Sequence, residues 1–235
     1  MKIQNIIGAL LYLVTTTLCA QSLSIAQLKG APDDILGAKL LKEIYKRANI
    51  QLELTILPAK RALIQSSQGI IDGELQRIFV LADKFPTLIR IPTPFTYFEP
   101  TAFSKNTPLK ITGWSALDGY RIGIVRGMKF AELGLQGIDN VYSVTGSAQL
   151  FNMLEKNRLD IVVTGRFNGL YYINNEKIDS IQALKPALER HQLYHYLHQK
   201  HKNLVPQIDA VIKSMLESGE LAALRIKYVN ELLER

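Results

Sequence analysis

Thiol chemistry is almost missing from this sequence: among 235 residues the one cysteine is Cys19. A single thiol closes no disulfide within the chain, and because Cys19 ends an apolar N-terminal run, the remainder has neither a cysteine nucleophile nor a thiolate metal ligand. Missing too are a phosphate-binding Gly-Lys-Ser/Thr loop, a His-Glu-x-x-His helix and a Gly-x-Ser-x-Gly turn, which removes the commonest signatures of nucleotide, zinc-protease and serine-hydrolase chemistry. The net charge is +7, but Lys39, Lys42, Lys46, Arg47, Lys105, Lys110, Lys177, Lys200 and Lys202 are dispersed and not interleaved with aromatics. That excludes a nucleic-acid stripe and leaves an anionic small ligand or a membrane-surface partner open.

Long apolar runs are confined to residues 6–18, which come after Lys2 and end at Cys19 and Ala20. About thirteen residues fall short of the roughly 20 that cross a bilayer, and the charged start, apolar middle and small-residue end are those of a secretory signal. Cleavage is expected after Ala20, with a periplasmic destination. An exported chain without disulfides must then be held by its hydrophobic core alone.

Beyond Ala20 one pattern occurs twice. Residues 63–77 and 150–166 each read as a helix stopped by Gly69 or Asn157, an apolar step, an aspartate (Asp72, Asp160), a strand, and an arginine (Arg77, Arg166). Around the first copy, Asp33 and Asp34 are placed to cap a helix carrying Leu36, Leu40, Leu41, Ile44 and Tyr45 at helical spacing. Residues 50–57 alternate as a strand, and Pro58 opens the next helix. Around the second, strands are expected at 120–125, 140–144 and 161–163, with Thr145 and Ser147 capping the helix between the last two. Strand–helix alternation predicts an α/β fold with mainly parallel sheets. The chain leaves the first unit along 101–105 and returns along 193–197, and two C-terminal helices break at Gly219. The expected organisation is a signal at 1–20, lobe one at 21–105 plus 193–235, and lobe two at 106–192, joined by a two-stranded hinge with residues 106–108 as a hinge candidate.

Five segments carry a family likeness: 58–63, 69–73, 121–127, 154–160 and 215–219. Together they resemble the extracellular solute-binding proteins of family 3, in a divergent form. The resemblance implies a type 2 periplasmic-binding fold, a small-molecule ligand between two lobes, no cofactor, no catalysis, a monomeric state, and an ABC permease or membrane sensor as partner. It also implies a Thr and an Arg holding a ligand carboxylate and a second-lobe Asp holding an ammonium, but those positions hold Leu81, Lys84 and Gly165. The α-amino-acid clamp is absent, which leaves some other small polar, anionic or zwitterionic solute.

Ligands of open α/β sheets bind beyond the carboxyl ends of strands. Arg61, Glu74, Arg77, Arg126, Gly127, Thr145 and Arg166 occupy such positions, and Tyr97 lies between two prolines as a stacking or rim residue. Four arginines near one cleft would suit a carboxylate or phosphate, since guanidinium forks pair with both; the plainer expectation is that several serve structural ion pairs. Asp72 and Asp160 are expected to bond backbone N–H groups at turns. His191, His195, His198 and His201 would form a metal-binding stripe on a helix, whereas a strand at 193–197 would split them between faces. Trp114 is expected to pack under the second lobe. Two alternatives remain: a dehydratase-like cleft enzyme using Glu74 as its acid, and an interaction protein with a vestigial cleft.

Overall fold

The computed structural model describes residues 22–29, 31–79, 81–105 and 111–234; the expected signal and the hinge candidate at 106–108 lie outside them. In chain order the elements are β1 (Ser22–Leu28), α1 (Pro32–Arg47), β2 (Gln51–Leu57), α2 (Ala59–Ser67), β3 (Gly73–Arg77), α3 (Leu81–Lys84), β4 (Leu88–Arg90), β5 (Thr96–Phe98) and β6 (Pro100–Ser104). Next come β7 (Ile122–Val125), α4 (Lys129–Gly134), β8 (Val141–Val144), α5 (Ser147–Glu155), β9 (Ile161–Gly165), α6 (Arg166–Asn175), β10 (Gln182–Ala183), β11 (His191–His198), α7 (Val205–Glu217) and α8 (Glu220–Leu233).

They build two mixed sheets. The first has the order β2-β1-β3-β11-β4, with β5 also pairing β11, and the second the order β10-β6-β9-β7-β8. Within them β1 is parallel to β2 and β3, and β7 to β8 and β9, as crossover helices require. The chain passes between sheets at Glu99, between β5 and β6, and again just before β11. Strand β6, expected in the first lobe, is instead held antiparallel to β9 in the second sheet. Its five residues are all buried, as fits a strand flanked on both sides by β10 and β9.

Both repeated units take the expected form, and the atoms show why. Gly69 and Asn157 have left-handed φ values of 73° and 53°. At each, the next N–H reaches back to close a Schellman end, Ile70 to Gln65 and Arg158 to Met153. Asp72 then accepts from the Ser24 N–H at the start of β1 (2.8 Å), and Asp160 from the Arg121 N–H just before β7 (2.9 Å). Each aspartate thus pins its own strand to the adjacent parallel one.

The two pins differ in strength. Asp72 also holds His201 (2.7 Å) and Lys200 (2.8 Å), and its side chain is 16 % exposed; Asp160 holds only the Arg121 guanidinium besides the N–H and is 37 % exposed. Asp72→Ala is therefore expected to cost about 2–4 kcal/mol, through a part-buried N–H and a buried imidazole left unpaired. Asp160→Ala should cost about 1 kcal/mol or less. Urea unfolding of both variants checks the order, and equal losses would refute it.

The helix caps are corrected. Neither Asp33 nor Asp34 bonds the α1 terminus; Asp34 turns to the Leu28 N–H (2.7 Å) and Gln76 Nε2 (2.8 Å), joining α1 to β1 and β3. Thr145 and Ser147 leave α5 without a side-chain cap, and the Thr145 hydroxyl bonds Gln149 on the following turn. One hydrophobic core joins α1, α7 and α8 to the first sheet, and two flank the second. Helix α6 belongs to both halves: Phe167 and Tyr171 pack in the first core, Leu170 and Ile173 against the second.

Candidate functional site

A cavity of about 840 Å³ opens between the two sheets. It sits beyond the carboxyl ends of β1, β3, β7 and β9, from which Asp33, Arg77, Gly127 and Asn168 reach it. This is where open α/β folds hold ligands. Its walls are largely aromatic and aliphatic: Phe98, Trp114, Phe130, Leu133, Ile78 and Leu193. Phe98 and Phe130 meet edge to face with centroids 4.7 Å apart. The Trp114 ring lies over Gly134, which leaves no room there for a Cβ, and its N–H donates to Glu189 (3.4 Å). Trp114 is thus both a packing residue and part of the wall.

Most charged groups at this cleft are already paired. Arg77 Nε and Nη2 donate to Glu74 Oε2 (2.9 and 2.6 Å), while Glu74 Oε1 accepts from Ser66 (2.5 Å). Lys129 pairs with Glu132 (2.6 Å), and His191 with Glu189 (2.9 Å). Asp34 is engaged by Leu28 and Gln76, and burial pushes its carboxyl above the ordinary range against those two hydrogen bonds. Asp33 stands apart. Its backbone N–H donates across the lobes to Asn168 Oδ1 (3.0 Å), yet its carboxylate Oδ2 is shielded from water and accepts no hydrogen bond. Burial pushes this carboxyl up to about 7, opposed by the Arg225 guanidinium and reinforced by Asp34 and Glu99.

Gly165 explains the space around Asp33. A Cβ at this position would lie 2.3 Å from Phe98 Cε2 and 3.0 Å from Asp33 Oδ2. The missing side chain lets the Phe98 ring and the Asp33 carboxylate close over β9.

Of the eight residues named from sequence, the cleft gathers Arg77 and Gly127, with Glu74 directly behind Arg77. The four arginines do not converge. Arg61 on α2 and Arg126 after β7 are exposed, and so is Thr145. Arg166 and Tyr97 line a smaller cavity of about 310 Å³ between α6 and α8, which also meets Asp33. There Tyr97 is stacked between the guanidiniums of Arg190 (4.1 Å) and Arg225 (4.0 Å), an arrangement that fills its faces from within the protein. Arg61 and Thr145 follow the edge strands β2 and β8, whereas Arg126 and Arg166 follow strands that end at the cleft but turn their side chains elsewhere, Arg126 to solvent and Arg166 to the smaller cavity.

The four histidines separate. His191 reaches the cleft, while His195 is fully buried with Nδ1 facing the Glu74 and Leu75 carbonyls (2.8 and 3.2 Å), so Nδ1 donates and Nε2 accepts from the Tyr45 hydroxyl (2.7 Å). Burial holds its pKa down, at about 4. His198 lies against Gly69, and His201 bonds Asp72. Among the described residues no three acidic, histidine or cysteine side chains cluster as metal ligands. Cleft residues missed from sequence include Asp33, Asp34, Gln76, Phe98, Lys129, Phe130, Asn168 and Glu189; the rule applied to later strands, applied to the end of β1, would have found the first two.

No helix among the described residues is long and apolar enough to cross a membrane. No family model matches the chain. Among solved structures it is similar to the GluR0 ligand-binding core in complex with L-glutamate, at 13 % identity and TM-score 0.72, covering 90 % of this chain and 99 % of that one. It is similar also to YtmK of Bacillus subtilis, a probable amino-acid ABC transporter extracellular-binding protein, at 15 % identity and TM-score 0.74 over 89 % and 99 %. A histidine kinase sensor domain with similarity to periplasmic binding proteins superposes at TM-score 0.65 with 15 % identity, over 88 % and 95 %. At these identities the likeness shows the fold, which is the periplasmic-binding fold of type 2. An uncharacterized protein of Shewanella oneidensis is 30 % identical over 191 residues, covering 75 % of this chain and 70 % of that protein. The chain belongs to one family with this Shewanella protein.

Proposed function

We propose that the protein is a divergent member of the family 3 solute-binding proteins, exported to the periplasm, which closes its lobes around a small anionic or zwitterionic solute and presents the closed form to an ABC permease or a membrane sensor. The observation that carries this reading is the cleft itself: four strand ends from two sheets converge on one cavity, and the chain crosses between the sheets on adjacent strands. A solute touching both lobes favours the closed state by its differential contacts with it. Arg77 is the group suited to a ligand anion, with Gly127 and Lys129 on the facing lobe. Similar proteins support both partners, since one is a probable transporter binding protein and another a kinase sensor domain.

Native mass spectrometry of protein purified gently from its own host tests the reading. One solute of a few hundred daltons, whose removal lowers the melting temperature and whose return restores it, is the expected result. No bound solute, and no stabilisation by any metabolite, would remove the reading. Turnover abolished by Glu74→Gln would replace it with the enzymatic alternative, although Glu74 is occupied by Ser66 and Arg77.

A further inference from the structure

We propose that Asp33 is the ligand's cation subsite, so that the solute carries an ammonium or guanidinium group attached to an apolar body. The assignment rests on the cleft being the ligand site and narrows its occupant, excluding a pure anion.

Three observations converge on it. Asp33 Oδ2 is a buried acceptor with no hydrogen bond, lining the cleft. An unpaired buried carboxylate costs folding free energy, and such a group persists where a ligand supplies the missing donor. Gln76 Oε1 is the other unpaired buried acceptor at the cleft, but it is turned against Gly37 and its amide N–H is fixed by the Asp33 carbonyl and Asp34, so it does not compete for the role.

Second, every other charged side chain at the cleft already has a bonded partner, Arg77 in Glu74, Lys129 in Glu132, Glu189 in His191, and Asp34 in Gln76 and the Leu28 N–H, so Asp33 is the one left with an unmet acceptor. Arg225, the nearest guanidinium acting on it, is stacked on Tyr97 and donates to Thr96 Oγ1 (2.8 Å) rather than to Asp33. Third, the cavity that Asp33 lines is walled by the rings of Phe98, Phe130 and Trp114, with Phe98 and the Asp33 carboxylate meeting at Gly165. Aromatic faces attract cations and accept the apolar body of an amine, while repelling a bare carboxylate.

The test uses wild type and Asp33→Asn, unfolded and refolded to strip bound solute, with circular dichroism confirming the fold. Two matched pairs of probes differ in the charge of the head group: phenethylamine and 3-phenylpropanoate, then butylamine and valerate. At pH 8 the members bearing an amine are expected to raise the melting temperature of wild type and to lose at least tenfold in affinity in Asp33→Asn, with the two carboxylates inert in both proteins. A carboxylate that stabilises wild type as well as its amine does, or an amine equally effective on Asp33→Asn, overturns the assignment. So does the absence of a shift with all four. Native mass spectrometry then separates the two ideas: a bound solute without an amine or guanidine overturns the subsite and leaves the cleft reading standing, and no bound solute removes both.

Discussion

Replacing Asp33 by asparagine should make the unliganded protein more stable at neutral pH, by on the order of 2–4 kcal/mol and about 5–10 °C in melting temperature. The carboxyl titrates at about 7 when folded against an ordinary 3.8. Between those values the folded chain binds more protons than the unfolded one, so Asp33 lowers stability progressively as pH rises from 4 to 7 and by a constant amount above. The charged groups acting on it are Arg225 from α8 and the carboxylates Asp34 and Glu99, with Arg166 of α6 bordering the same small cavity. Burial outweighs the Arg225 attraction. The gain from Asp33→Asn should therefore vanish near pH 4 and be complete at pH 8, and thermal unfolding at both checks it. An equal gain at both would mean that ionisation is not its source. A residue whose removal stabilises the empty protein while abolishing binding is retained for the ligand.

The second large effect is expected at Gly165. Its backbone is ordinary, with φ −63° and ψ 138°, so alanine fits the local conformation and, with space available, would stabilise by about 0.4–1 kcal/mol. Space is what is lacking. The Cβ would come within 2.3 Å of the Phe98 ring, which is wedged against Phe130. Gly165→Ala is expected to cost about 1–3 kcal/mol through that overlap and to weaken solute binding by displacing part of the cleft wall. Gly165→Asp should cost more, since it also sets a second carboxylate beside Asp33. Denaturant unfolding with ligand-induced thermal shifts measures both, and a stabilised Gly165→Ala would show that Phe98 yields.

Local structure was legible wherever a short-range signal was decisive. Gly69 and Asn157 announced their helix stops because a left-handed C-terminal residue is a local signal; the two aspartates bond backbone N–H groups as expected, but on the neighbouring strand rather than at their own turn, which local sequence does not show. The return strand through Leu193 and Leu197, and with it the separation of the histidines, came from alternation. The cleft walls were not legible, because Phe98, Trp114 and Phe130 come together only when two sheets and a crossing strand are assembled. The arginines misled for the same reason: position after a strand says which end of the sheet a residue occupies, not which way its side chain turns. Asp33 was visible as a charge at a helix start and was given the commoner capping role. Only the long-range placement of Asn168 and Gly165 beside it reveals an acceptor with nothing to accept.

Helix α6 decides how such a molecule comes apart. Its chain continues directly from the second sheet, yet Phe167 and Tyr171 are sunk among the first-lobe helices α1 and α8. The covalent and the cooperative divisions of the protein therefore do not coincide. Cutting the chain between the sheets would not yield two self-sufficient pieces, since either piece would expose one face of α6 or the groove that receives it.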